Sequence, residues 1–273
     1  MRIGVIGTGN MGSILVEAMM DAHAISPSCL SIHNRTRAKA EQLRQEYPEL
    51  QIFDDVEKLV QTSDCLFICV KPHDIFPLLQ QIKPHLQREH CLVSITSPVA
   101  VEQLELHVDC STARIIPSIT NRALTGVSLF TFGKKCTDRW KTQLLQLFKG
   151  FSKPHEISQN ITRVTSDIVS CGPAFYSYIT RRFIDGAVRE TEIDTETATV
   201  LVSEMLIGLG ELLRQGHYTL PTLEEKVTVK GGITGEGIKV LEKELNGVFE
   251  KLFQATHAKF REDLEKVKEQ FNV

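Results

Sequence analysis

Four groups of residues in this chain have the types and spacing that carry chemistry. The first is Gly7-Thr8-Gly9-Asn10-Met11-Gly12, which follows the apolar run RIGVI and opens an amphipathic stretch from Met11 to about His23. In a strand–turn–helix of this kind the first glycine permits the tight turn. The second lets a diphosphate approach the backbone, and the third lets helix and strand pack closely. The N–H groups at the helix start then face phosphate oxygens. A glycine fingerprint alone is a weak signal; with its strand, its helix and its place at the head of a βαβ unit it points to a dinucleotide.

The second group follows the strand pattern LSIH and reads Asn34-Arg35-Thr36-Arg37. The NAD pattern puts a carboxylate there, to accept hydrogen bonds from the ribose 2′-hydroxyl. None is present, and a guanidinium with a hydroxyl suits a 2′-phosphate, so NADP is favoured over NAD. Thr36 equally suits the cap of the helix that follows. The third group, Cys69-Val70-Lys71-Pro72, ends another apolar strand. Carboxyl ends of parallel strands rim the ligand crevice, which places Lys71 toward the nicotinamide half, while Pro72 sets the turn into the next helix.

The fourth group is KVTVKGGITGEGIKVLE, Lys226 to Glu242, with glycines at 231, 232, 235 and 237 in a region of helical spacing. Each glycine inside a helix costs roughly 1 kcal/mol against alanine. Side chains at Gly231 and Gly232 would crowd any close approach to the backbone N–H groups that open the following helix. The competing explanation is a helix–helix crossing that needs close backbones.

The elements that must position these groups divide into two halves. Up to about His155, short apolar runs (RIGVIG, LSIH, CLFICV, CLVSI, ARIIP, VSLFTF) alternate with helical patterns, and a further helix is expected through 141–148. Strands alternating with helices imply βαβ units, and right-handed crossovers give a doubly wound, mostly parallel sheet. Beyond that the apolar residues recur at three-to-four spacing only, so the second half is all helix. The expected fold class is α/β. A Rossmann doubly wound domain over 1–157 is followed by an all-helical domain over 158–273, the expected place of dimerisation. The run LVSEMLIGLGELL is apolar over more than one face, which requires cover from another copy of the chain.

With 273 residues and a formal net charge of −3, the chain shows no bias toward polyanions, which argues against nucleic acid. No apolar run approaches the roughly 20 residues that span a bilayer. Seven cysteines without CxxC spacing give no zinc pattern and indicate a reducing, cytoplasmic setting. No metal site is expected, and none of the nine histidines falls in a catalytic pattern.

These motifs resemble those of the pyrroline-5-carboxylate reductases, which reduce a cyclic imine to proline with NAD(P)H, and the resemblance covers essentially the whole chain. GVIGTGNMG, HNRT and CVKPHDI are similar to the cofactor motifs of that family. SCGPAFYSYI resembles its Ser-Gly-Ser-Gly-Pro-Ala-Tyr segment, and VTVKGGITGEGIKVLE its Val-Thr-Ser-Pro-Gly-Gly-Thr-Thr signature. More narrowly, the chain looks like a divergent paralogue of the kind encoded with late-competence genes in bacilli. The resemblance implies a homodimer or higher homo-oligomer and a small-molecule substrate. It also implies that Thr234 contacts the reacting imine, with Lys230, Gly231, Gly232, Ile233 and Lys71 beside the substrate.

The departures fall on the substrate side. Pro117-Ser118-Ile119-Thr120 stands for Pro-Asn-Thr-Pro, Thr96-Ser97-Pro98 for Ala-Ala-Gly, and Val169-Ser170-Cys171-Gly172-Pro173 for Ser-Gly-Ser-Gly-Pro. Val229-Lys230 replaces Ser-Pro, Ile233 a threonine and Glu236 a small residue. Losing a polar partner commonly costs about 1–3 kcal/mol, tenfold or more in affinity. Two readings follow: an NADPH-dependent reductase of 1-pyrroline-5-carboxylate or a close imine, or a dinucleotide-binding paralogue with little catalysis and a regulatory or competence-related role. A β-hydroxyacid dehydrogenase ranks last, because SCGPAFYSYITRR lacks that class's lysine.

Overall fold

The computed structural model describes residues 1–271. Its amino-terminal part runs β1 (Ile3–Ile6), α1 (Asn10–Asp21), β2 (Leu30–His33), α2 (Arg37–Glu46), β3 (Gln51–Ile52), α3 (Val56–Thr62), β4 (Cys65–Ile68), α4 (Pro72–Ile82), β5 (Cys91–Ser94), α5 (Val101–Glu105), β6 (Ser111–Ile116), β7 (Val127–Phe132), α6 (Asp138–Lys149) and β8 (Lys153–Glu156). The strands form one sheet in the order β3-β2-β1-β4-β5-β6-β7-β8. Every pairing is parallel except β6 with β7. The first six positions follow the doubly wound order, with the reversal between β1 and β4 that opens a ligand crevice.

Strand periodicity sorts the core. Val5, Ile32, Phe67, Val93 and Ile115 enter one cluster with Leu15 and Met19 of α1 and Leu144 and Phe148 of α6. Leu66, Ile68 and Leu92 point the other way, into a second cluster with Leu59, Ile75 and Leu79. Alternate side chains lie on opposite faces of a strand, so a sheet covered on both sides reads as a continuous apolar run. The short elements lack that signal. Asp55 caps α3, accepting from Glu57 N at 2.9 Å, and β8 is the polar edge sequence KPHE. Pro154 is tolerated there because an edge strand has one unpaired side.

The remainder is helical: α7 (Thr162–Ser166), a π-helical turn (Asp167–Cys171), α8 (Gly172–Glu190), α9 (Thr195–Arg214), α10 (Leu220–Val227), α11 (Ile233–Glu244) and α12 (Val248–Phe271). The strands end next to the expected 157/158 boundary, but compactness divides the chain elsewhere. One unit holds Met1–Pro173 together with the stretch from Thr256; the other is Ala174–Ala255. The cause lies within the first unit. Residues 162–171 are hydrogen-bonded to Arg114, Pro117 and Ser118, and Val267 and Phe271 complete the second core cluster. Within the second unit, Leu201, Met205, Leu206 and Ile207 of α9 are exposed in the single chain. Among the described residues no helix is long and apolar enough to cross a membrane.

Candidate functional site

A cleft of ≈ 1050 Å³ opens at the carboxyl ends of β1, β2 and β4, bordered by Gly7, Gly9, Arg35, Thr36, Val70 and Lys71. The glycine loop that floors it is tightly specified. Gly7 has φ +100°, and a Cβ there would stand 2.8 Å from the Cys69 carbonyl oxygen. A Cβ at Gly12 would stand 2.0 Å from the Gly7 carbonyl oxygen. At Gly9 no described heavy atom lies within 4 Å of that position. Gly9 is the N-cap of α1, and Asn10 and Met11 begin a first turn that carries neither a side-chain cap nor an acidic residue. The N–H groups of that turn have no intrahelical partner and meet no carboxylate within the turn itself.

Polar bracing holds the loop against β2. Gly7 N donates to His33 O at 2.8 Å, and Thr8 N to Asn34 Oδ1 at 2.9 Å. The Asn34 amide donates in turn to Thr36 O at 2.8 Å, so Asn34 works as a brace. Thr8 Oγ1 is buried without a hydrogen-bond partner among the described residues. An open helix start beside an unpartnered hydroxyl fits a dinucleotide diphosphate, which the Gly9, Asn10 and Met11 N–H groups and Thr8 Oγ1 could hold.

Arg35 and Thr36 are exposed on the rim of this cleft. Thr36 occupies the N-cap position of α2 but makes no side-chain cap bond, so its hydroxyl stays available. Lys71 is the exposed N-cap residue of α4, with Pro72 at the first helical position. Cys69 N donates to Ile6 O at 2.8 Å, which ties the start of that segment to β1. Burial pushes the Cys69 thiol well above its ordinary range, so it remains a neutral packing group.

A second cluster in the same unit gathers three of the departing segments, 96–98, 117–120 and 169–173. Arg114 of β6 is fully buried and donates to Ser97 O at 3.2 Å, Thr131 Oγ1 at 3.2 Å and Thr162 Oγ1 at 2.6 Å. Burial lowers this guanidinium to about 10. Ser118 Oγ donates to Val169 O at 2.8 Å and Ser170 Oγ to Pro117 O at 2.9 Å, locking the 117–120 turn to the π-helical turn. Arg163 Nη2 lies 2.8 Å from Asp167 Oδ1. Its N–H is not aligned for a hydrogen bond to that oxygen, so the contact is an ion pair alone. Thr256 Oγ1 donates to the other oxygen, Oδ2, at 2.8 Å. Sequence reasoning missed Arg114, Arg163 and Asp167. The available signal was an arginine inside the apolar strand run STARII, because a charge in a buried strand demands partners.

In the second unit the chain breaks between α10 and α11. Gly231 has φ +75°, a conformation that favours glycine, and Gly232 is the N-cap of α11. Ile233 and Thr234 open the helix, both exposed, Ile233 at 92 %. No described atom lies within 4 Å of a Cβ at Gly231 or Gly237, so no close helix crossing inside the chain requires those glycines. Lys230 is exposed beside them, while Glu236 is paired with Lys239 at 2.6 Å. The structure thus puts 230–234 at one helix start and Gly7, Gly9, Asn34, Arg35, Thr36, Cys69, Val70 and Lys71 along one cleft, with Thr8 and Asn10 lining a smaller neighbouring pocket; 230–234 and the cleft belong to different compact units.

Comparison with known proteins matches the two halves of the chain to two family models. Residues 159–263 match the family model for pyrroline-5-carboxylate reductase dimerisation. Residues 2–98 match that for NADP oxidoreductase, coenzyme F420-dependent. The chain is 52% identical over 273 residues to ComE operon protein 4 of Bacillus subtilis (strain 168), covering 100% of both. It is 30% identical over 262 residues to pyrroline-5-carboxylate reductase 3 of the same organism, covering 95% of each. Among solved structures, Plasmodium falciparum pyrroline carboxylate reductase with NADP bound superposes with a TM-score of 0.83 at 23% identity, covering 97% of this chain and 98% of that one.

Proposed function

This chain belongs to the pyrroline-5-carboxylate reductase family, and from that premise we propose that it reduces the C=N bond of 1-pyrroline-5-carboxylate, or of a related cyclic imine, with NADPH. The observation that carries the reading is the amino-terminal cleft: an uncapped helix start, an open Gly9 and an unpartnered buried Thr8 hydroxyl. In the proposal residues 1–157 bind the cofactor, and 158–273 supply the dimer contact and the substrate site, in a cytoplasmic protein.

When bound, the nicotinamide supplies the hydride. The chain's own work is positional. Asn10 and Met11 N–H groups, at the uncapped start of α1, hold the diphosphate, Arg35 and Thr36 face the ribose end, and Val70 and Lys71 border the nicotinamide half. The N–H groups of Ile233 and Thr234, left free by Gly231 and Gly232, hold the substrate carboxylate, with Lys230 adding charge. The Thr234 hydroxyl bonds the imine nitrogen, whose protonation lets the adjacent carbon accept the hydride.

The test is the loss of NADPH absorbance with 1-pyrroline-5-carboxylate. Turnover is expected in the unaltered protein, and Thr234→Ala is expected to lower it by about tenfold or more while NADPH affinity stays unchanged. Identity of 52% to ComE operon protein 4, together with Cys171 and Ile233 at motif positions, favours a second reading: a dinucleotide-binding paralogue with little catalysis. Tight NADPH binding without turnover on a panel of cyclic imines selects it.

The exposed apolar face of α9 supports a homodimer through the helical half. Replacing Leu201 and Ile207 with glutamate is expected to turn a dimer into a monomer in sedimentation. Finding the unaltered protein monomeric at micromolar concentration counts against this assembly.

A further inference from the structure

Nicotinamide dinucleotides are told apart at the end of β2, where a carboxylate suits the ribose 2′-hydroxyl and a guanidinium the 2′-phosphate. Local sequence at that place offers Asn34 and Arg35 and no acid. The fold brings one in from 20 residues away. Phe53 N donates to Ile32 O at 2.9 Å, and the Phe53 carbonyl lies 2.9 Å from His33 Nδ1. Asp54, the next residue, is therefore pinned beside the end of β2 and lines the same cleft as Gly7, Gly9, Arg35 and Thr36.

Asp54 forms an ion pair with Arg37 Nη1, and Arg37 Nε also bonds Glu41 at 3.0 Å. A phosphate drawn to Arg37 thus meets a guanidinium already engaged by two carboxylates. Asp55, by contrast, is committed to capping α3. The Asp54 side chain is 73% exposed, and its only hydrogen bond among the described residues is the one to Arg37, so it is free to answer whatever the cleft receives.

We propose that Asp54 is the specificity-determining residue for the cofactor: its carboxylate competes with a 2′-phosphate for Arg37 and repels it, yet accepts a hydrogen bond from a 2′-hydroxyl. This rests on the dinucleotide reading of the cleft. The cleft then offers Arg35 and Arg37 to a phosphate and Asp54 to a hydroxyl, and its preference for NADPH is narrower than the residues at 34–37 imply.

Titration calorimetry of the full chain with NADPH and with NADH tests it. Asp54→Asn keeps the size of the side chain and removes its charge, and an exposed pair contributes little to folding. NADPH is expected to bind about threefold to tenfold more tightly to Asp54→Asn, because an exposed charge acts through solvent. NADH affinity is expected to stay level or fall. The gain should shrink at high salt, where exposed charges are screened. Unchanged or weakened NADPH binding in the variant overturns the assignment of Asp54 and leaves the dinucleotide reading standing. Failure of the unaltered chain to bind either cofactor overturns both.

Discussion

Gly12→Ala is expected to destabilise the amino-terminal unit by about 3 kcal/mol or more and to abolish NADPH binding along with it. The added Cβ stands 2.0 Å from the Gly7 carbonyl oxygen and 3.1 Å from Cys69 Cβ. The first obstacle is backbone, which cannot rotate aside as a side chain would, so α1 must lift away from β1. That helix brings Leu15, Val16 and Met19 into the core, and their packing is lost with it. Gly9→Ala makes the informative contrast. Its Cβ meets no described atom within 4 Å, and its φ of −76° suits any residue. Stability should hold within about 0.5 kcal/mol, while NADPH affinity falls by about tenfold or more, because the methyl takes the room a phosphate needs. Urea unfolding and equilibrium NADPH binding separate the two effects. A Gly9→Ala protein that binds NADPH normally would remove the diphosphate from this loop.

Arg163→Met should cost about 3 kcal/mol, since removing one partner of a buried ion pair strands the other. Asp167 has a fully buried side chain, and Arg163 supplies its nearest cation, at 2.8 Å. Thr256 Oγ1 continues to donate at 2.8 Å, and His257 Nε2 stands 3.7 Å away. Neither replaces a guanidinium. Asp167→Asn should cost less, because Arg163 keeps its stacking on Phe260 at 5.3 Å and some access to solvent. The double variant Arg163→Met with Asp167→Leu should recover much of the loss, since an apolar pair of similar volume avoids the desolvation of both charges. These are urea midpoints at one fixed protein concentration, as assembly shifts apparent stability. A single-variant loss below about 1 kcal/mol would show that the pair does not organise the π-helical turn.

Legibility from sequence followed the range of the interactions involved. Strand runs such as CLFI and the glycine loop announce themselves, because burial on both faces and a tight turn each impose residue types on neighbouring positions. The edge strand KPHE and the two-residue β3 do not. Their places are set by hydrogen bonds to strands already formed. In the same way, the helical half was evident from its spacing. The stretch from Thr256 belongs with the amino-terminal unit because Val267 and Phe271 fill a gap in that unit's core, and no local pattern encodes the destination of a helix face.

At the cofactor site the division is sharpest. Local sequence by itself determined the doubly wound fold, the glycine loop at 7–12, the basic and hydroxylic run at 34–37 and the glycine break before Thr234, since each is a contiguous segment answering a local backbone or charge requirement. Only the tertiary structure decided that Asp54 stands beside that basic run, that the i,i+4 pair Arg163 and Asp167 is buried, and that Arg114 lies among neutral acceptors. Charges act through space over a few ångströms, whereas sequence orders residues along the chain. A carboxylate 20 positions away becomes a neighbour once β3 pairs with β2.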